Sequence, residues 1–270
     1  MTQRKSTESF RIAIFSGLLL VLAFPGPAAA EAPAAANSAF NVYVSAVESR
    51  LNGQHRSQTG FVAAAGDESE MRLRRGVLIV EKRTPASEAE MPGAMLHDWR
   101  GTVFVPGATE ADFERLMKDF NGYPKYYAPQ VLSAKVLAQQ GDHLQATMRV
   151  RQKHVLTVVM DTSYEISFGR LDARYGYSIS RSTRIAEIDA PGTRGERALT
   201  GGEEHGFLWR LNTYWSCEER DGGVYLQIES VSLTRSIPRG LGWAIGPFVE
   251  SVPRESLEFT LRSTYKALRR

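Results

Sequence analysis

An α+β fold, a curved antiparallel sheet wrapped around a long C-terminal helix with space left between them, is what this sequence predicts. Two observations lead there. From about His97 onward, one alternating strand and one helix are followed by six strands in succession, and the chain closes on an amphipathic helix. Short turns such as Gln140-Gly141-Asp142 and Arg220-Asp221-Gly222-Gly223 join most of those strands, which makes sequence neighbours antiparallel partners.

The first 30 residues are of another kind. Arg4, Lys5 and Arg11 precede the apolar run Ile12 to Phe24, Pro25-Gly26-Pro27 breaks it, and Ala28 to Ala30 are small. That order predicts a secretory signal cleaved after Ala30, and hence an exported, periplasmic or secreted protein. An uncleaved anchor is the alternative, although the run is shorter than the roughly 20 apolar residues a spanning helix needs. Residues 1–30 hold three of the 33 basic and one of the 30 acidic residues, so the remainder is near neutral. Near-neutrality and the lack of any recognition motif argue against a nucleic-acid partner. Cys217 is the only cysteine, so no internal disulfide can form and the core must hold the fold.

Residues 31–95 read as an N-terminal extension that packs on the main domain. Phe40, Val44, Val47 and Leu51 stand at helical spacing, Met71 to Val80 reads as a strand with Gly76 a bulge or kink, and Thr84 to Gly93 reads as a linker. The main domain, 96–270, opens with the alternating segment Trp99 to Val105, closed by Pro106-Gly107. Thr109 and Asp112 form a capping pair before Phe113, Leu116, Met117 and Phe120, one apolar helical face that ends at Asn121-Gly122. Strands follow at about 131–137, 144–153, 155–168, 174–188, 206–218 and 224–236. The connection 189–204, with four glycines, reads as a lid or as a solvated loop. Ser251 caps the last helix, Pro253 falls in its first turn, and Leu257, Leu261, Tyr265 and Leu268 form its stripe.

This order of elements, with the helical pair over Thr109 to Tyr127 and the terminal helix, resembles the START-like superfamily. That group includes polyketide cyclases/dehydrases, pollen allergens of the same shape and lipid-transfer domains. The resemblance covers about Leu96 to Leu268. The chain also looks closely like an exported bacterial subgroup of unknown function, carrying segments such as Arg181-Ser182-Thr183-Arg184-Ile185-Ala186-Glu187 and Ser256-Leu257-Glu258-Phe259-Thr260-Leu261. It implies a helix-grip fold with an apolar cavity between sheet and terminal helix, and it carries over no catalytic residue.

Alternation suggests the cavity lining. Met160, Tyr164 and neighbours of their parity are apolar; Trp209, Thr213 and Trp215 share a face; Ser230 follows Val224, Leu226 and Ile228; Phe248 precedes the terminal helix. Tyr177 shares parity with Arg181, an arginine on an otherwise apolar face that must find an internal acid, the rim, or a carboxylate or phosphate on the ligand. These nine residues are the candidate ligand-binding set. Arg149, Arg151 and Lys153 share the opposite face as a solvated edge, with transient contact to an anionic membrane surface as the alternative.

The five histidines show no metal-ligand spacing, and no nucleophile elbow or phosphate loop is present, so neither metal nor cofactor is expected. The leading expectation is a non-enzymatic carrier or sensor of one hydrophobic or amphipathic small molecule, lipid-like or polyketide-like. A cyclase or hydrolase using Arg181 and His154 in the same chamber is the alternative. A third reading is an interaction protein in which the N-terminal third or the Gly-rich loop docks a partner and the chamber is vestigial, so that deleting residues 37–92 would abolish partner capture and leave the remaining domain folded. Nothing in the sequence specifies an oligomer.

Overall fold

Alternating segments build ten strands into one antiparallel sheet in a computed structural model that describes residues 31–62, 66–85, 90–153, 157–236 and 242–269, with the backbone alone for 90, 201 and 242–250. The expected signal segment and His154 lie outside these residues. In chain order the elements are α1 (Ala34–Gln54), α2 (Asp67–Arg74), β1 (Ile79–Lys82), β2 (Glu90–Met91), β3 (Ala94–Pro106), α3 (Glu110–Lys118), a 3-10 turn (Phe120–Gly122) and α4 (Tyr123–Tyr126). Then come β4 (Val131–Gln140), β5 (His143–Lys153), β6 (Thr157–Asp172), β7 (Tyr175–Asp189), β8 (Arg197–Ala198), a second 3-10 turn (Gly201–Glu203), β9 (Arg210–Arg220), β10 (Gly223–Arg235) and α5 (Gly242–Leu268). The sheet order is β1-β3-β10-β9-β7-β6-β5-β4, with β2 on β3 and β8 on β7. This is the helix-grip arrangement. No described helix is long and apolar enough to cross a membrane.

On the grip face, α3 and α5 close one end. Thr109 caps α3, its hydroxyl accepting from the Asp112 amide while the Asp112 carboxylate accepts from the Thr109 amide. Phe113, Leu116 and Met117 then meet Trp215, Cys217, Val224, Leu226, Val103, Leu257 and Leu261 in one buried cluster. Gly101 on β3 is where α5 comes down: a Cβ there would collide with Leu261 Cδ1 and press on Leu257. The Tyr127 hydroxyl bonds Thr264 on α5 at 3.0 Å, joining the α4 end to the grip. Cys217 has no exposure, and burial pushes its thiol well above the ordinary range.

The opposite face is covered as well, by α1. Ala36, Phe40, Val44, Val47 and Leu51 pack on Ala94, Leu96, Tyr214, Val231 and Leu233. Between these apolar contacts lies a polar layer. The Tyr43 hydroxyl donates to Asp98 at 2.8 Å, Arg50 pairs with Glu229, and His55 Nε2 meets the Ser216 hydroxyl at 2.8 Å. Burial, with the nearby Glu229 charge, pushes Asp98 up to about 7.

Several expectations are corrected here. Residues 71–74 are helical, because acids at Asp67, Glu68 and Glu70 and bases at Arg72 and Arg74 complement the helix ends. Gly76, at φ +83°, is the turn that ends that helix and not a bulge in a strand. The terminal helix starts at Gly242, so Ser251 and Pro253 lie inside it; Pro253 simply lacks the amide that would reach Val249. The 189–204 connection is folded against the outer side. Its β8 pairs with β7 beyond the point where β9 leaves it, Glu196 joins the Arg149–Asp161 pair, and Leu199 is buried. These contacts tie the connection to β5, β6 and β7.

Candidate ligand-binding site

Strand register fixes which side chains stand together on the grip face, row by row. The innermost row is Gly176–Cys217–Leu226–Val103, followed by Phe168–Ser178–Trp215–Ile228–Gly101. The next is Leu144–Ile166–Ser180–Thr213–Ser230–Trp99. Beyond it lie Ala146–Tyr164–Ser182 and Leu211–Ser232–His97, joined where the Leu211 amide donates to the Ser182 hydroxyl at 2.9 Å. Chemistry changes along this series. The first row is closed and apolar, Cys217 and Leu226 having no exposure. The third carries three hydroxyls in the middle of the sheet, and Ser180, Thr213, Ser230 and neighbouring Leu211 are only half-buried. Positions on central strands are ordinarily buried more fully, and this partial exposure sets the third row apart from the closed first one.

Five of the nine candidate residues fall on this face. Thr213 and Ser230 pair in the hydroxyl row, Trp215 stands over Phe113 at the closed end, and Tyr164 and Met160 are buried on β6. The side chain of Phe248 lies outside the described ones. Three are on the other face. Arg181 donates two hydrogen bonds to Glu48 of α1, at 2.7 and 2.9 Å, and the Tyr214 hydroxyl donates to the same carboxylate at 3.0 Å. Tyr177 stacks on His55, ring centroids 4.3 Å apart, and Trp209 packs against the α1 cluster. For Tyr177 and Arg181 the physical reason is the alternation of β7, where Tyr177, Ile179 and Arg181 belong to α1 and Ser178, Ser180 and Ser182 to the grip, whereas Trp209 precedes β9, which begins at Arg210, and so does not follow that strand's alternation. The enzyme alternative thereby loses Arg181. Glu48, the internal acid that arginine required, also lines an open polar depression of about 420 Å³ with Ser45, Ser49, Asn52, Gly53 and Arg56.

Sequence reasoning missed the β7 serines, Trp99 and His97. A signal was available in β7, whose serines at 178, 180 and 182 match the period of the neighbouring Thr213 and Ser230. After Ser182 the pairing of β6 and β7 shifts by one residue, so Glu187 comes opposite Met160. Its two carboxylate oxygens accept from the amides of His205, Gly206 and Phe207 at 2.9, 2.9 and 3.0 Å and lie 2.8 Å from His205 Nδ1, fixing the entry to β9. His97 Nε2 lies 3.0 Å from the Thr234 hydroxyl, and burial lowers its pKa to about 4, so the ring is neutral near pH 7. Of the outward cations of β5, Arg149 holds Asp161 and Glu196, Arg151 donates to the Pro129 carbonyl, and Lys153 is exposed. No group of three or more metal-ligating side chains occurs among the described residues.

No family model and no curated protein matches the chain. The structure is similar to START-superfamily structures. A START superfamily protein from Mycobacterium smegmatis is 15% identical, with a TM-score of 0.43 over 64% of this chain and 97% of its own. A STAR-related lipid transfer protein from Xanthomonas axonopodis is 16% identical, with a TM-score of 0.43 over 71% and 99%. The Zhui aromatase/cyclase from Streptomyces sp. R1128 is 12% identical, with a TM-score of 0.45 over 65% and 94%. The likeness is one of fold alone.

Proposed function

We propose that the protein holds one amphipathic small molecule between its sheet and α5, as a carrier or sensor. The reading rests on the change from a closed apolar row to half-exposed hydroxyls across the middle of the grip face. The apolar body would lie near Trp215, Ile228 and Ile166, where burial contributes about 25 cal/mol per Å² of apolar surface. The polar end would lie at Ser180, Thr213 and Ser230. We also propose that residues 1–30 direct export and are removed after Ala30, which N-terminal sequencing of the natural protein tests.

Native mass spectrometry of protein purified without added ligand is expected to show a co-purified molecule. Thr213→Trp, which puts an indole into the open row, is expected to abolish both that molecule and Nile red uptake while far-UV circular dichroism is retained. Protein that refuses Nile red altogether, or a Thr213→Trp variant that takes it up as well as the parent does, would overturn the reading.

A further inference from the structure

We infer that Asp98 and Glu229 share one proton beneath α1, and that this proton makes the docking of α1 tighter in mild acid. In the register of β3 and β10, Asp98 stands opposite Val231 and Glu229 opposite Arg100. The two acids are therefore diagonal neighbours on the outer face, a separation that long side chains bridge. Helix α1 engages one oxygen of each and leaves the other. The Tyr43 hydroxyl donates to Asp98 Oδ2 and Arg50 pairs with Glu229 Oε1, whereas Asp98 Oδ1 and Glu229 Oε2 are buried with no hydrogen-bond partner among the described residues. Both residues are only 2% exposed, so water does not quench the repulsion of two carboxylates there. A proton on one of them replaces that repulsion with a charge-assisted hydrogen bond and satisfies both oxygens at once.

Asp98 is the member that carries the proton. Burial and the Glu229 charge raise its carboxyl to about 7, against the lowering pull of Tyr43, Arg50 and Arg83. The other charged groups on this face answer to other partners. Arg100 on β3 donates to Glu81, Arg181 on β7 to Glu48, and Arg210 on β9 to Asn37 while lying over the Phe40 ring; Glu48 also accepts from Tyr214. His55, at the far end of α1 against Ser216 and Tyr177, titrates in the opposite sense. When α1 lifts, water reaches Asp98 and its carboxyl returns to the ordinary value of about 4. The lifted state then holds the proton less well, so docking gains as pH falls through about 7.

The infrared difference spectrum between the wild type and Asp98→Asn reads the proton through the carbonyl stretch of a carboxylic acid. That band is expected at pH 6 and should fade with a midpoint near 7, and Glu229→Gln should lower the midpoint by about one pH unit or more. Hydrogen exchange of α1, residues 34–54, supplies a second reading that needs only Asp98→Asn, whose amide keeps a donor towards Glu229. Between pH 8.5 and 6.5 the protection of α1 in the wild type should gain about fourfold on that in Asp98→Asn, a comparison in which the His55 contribution cancels. No protonated Asp98 at pH 6, or a midpoint that Glu229→Gln leaves in place, overturns the shared proton. An α1 that responds to pH equally in the two proteins overturns its hold on the helix.

Discussion

Three buried ionisable side chains set how the fold answers to acid. His55 is held between Ser216 and the Tyr177 ring, and His97 beside Thr234; burial lowers each to about 4, with Arg50 and Lys82 adding to the respective shifts. Unfolded, both would titrate near the ordinary histidine value of about 6.5. The folded chain therefore binds fewer protons between pH 4 and 6.5, and each ring withdraws stability as pH falls through that window, to a limit of about 3 kcal/mol. Asp98 acts in the opposite sense. Its folded value of about 7 lies above the unfolded one, so its protonation adds stability as pH drops from 7 towards 4. Two histidines against one aspartate leave a net loss in acid. The urea midpoint is expected to fall from pH 6.5 to 4, with a shallower slope in His55→Gln and His97→Gln. Asp98→Asn should steepen that fall and gain stability at pH 8. A wild-type midpoint constant over this range would count against the buried, neutral state of both rings.

At the level of elements, the contact of α5 with β3 is the sharpest constraint. Gly101→Ala drives a methyl into Leu261 and Leu257, and such overpacking costs about 1 to 3 kcal/mol. Thermal unfolding of Gly101→Ala, Leu261→Ala and the double variant should show a double-variant loss smaller than the sum of the two. Where the long strands run was legible in the residues: periods of two, bounded by turns such as Asp221-Gly222, placed β4 to β7, β9 and β10 within a few positions, and the Thr109–Asp112 pair located α3, whereas the two-residue β8 fell in what read as a connection. Which side of β7 faces the grip was not. Alternation says which residues share a face and is silent on which face is the grip, so it suffices only where one side meets water. Here α1 buries the outer side too, and Tyr177 and Arg181 read as lining when they are part of the seat of that helix. Phe40, Val44, Val47 and Leu51 were legible as an apolar stripe, but the surface receiving it was not, because Ala94, Leu96, Tyr214, Val231 and Leu233 come from three separate strands. Thr213 and Ser230 were found because their strands lie on the side where apolar grip residues dominate.

For the molecule as a whole, the consequence is that residues 31–62 are part of the fold. Removing them would uncover Tyr214, Val231 and Leu233 and leave Glu229 and Asp98 without Arg50 and Tyr43. A chain starting at residue 66 is therefore expected to aggregate or to lose near-ultraviolet circular dichroism, in place of the intact remainder that a separable docking arm would leave. A monomeric, cooperatively unfolding truncation would contradict this. Cys217 supplies a further handle. It is the chain's single sulfhydryl, sealed in the innermost row between Gly176 and Leu226. Alkylating reagents meet it only when the domain opens, so the rate of its labelling acts as a clock for those openings. A molecule lodged in the grip slows that clock in proportion to its occupancy, which turns one buried sulfur into an assay for cargo.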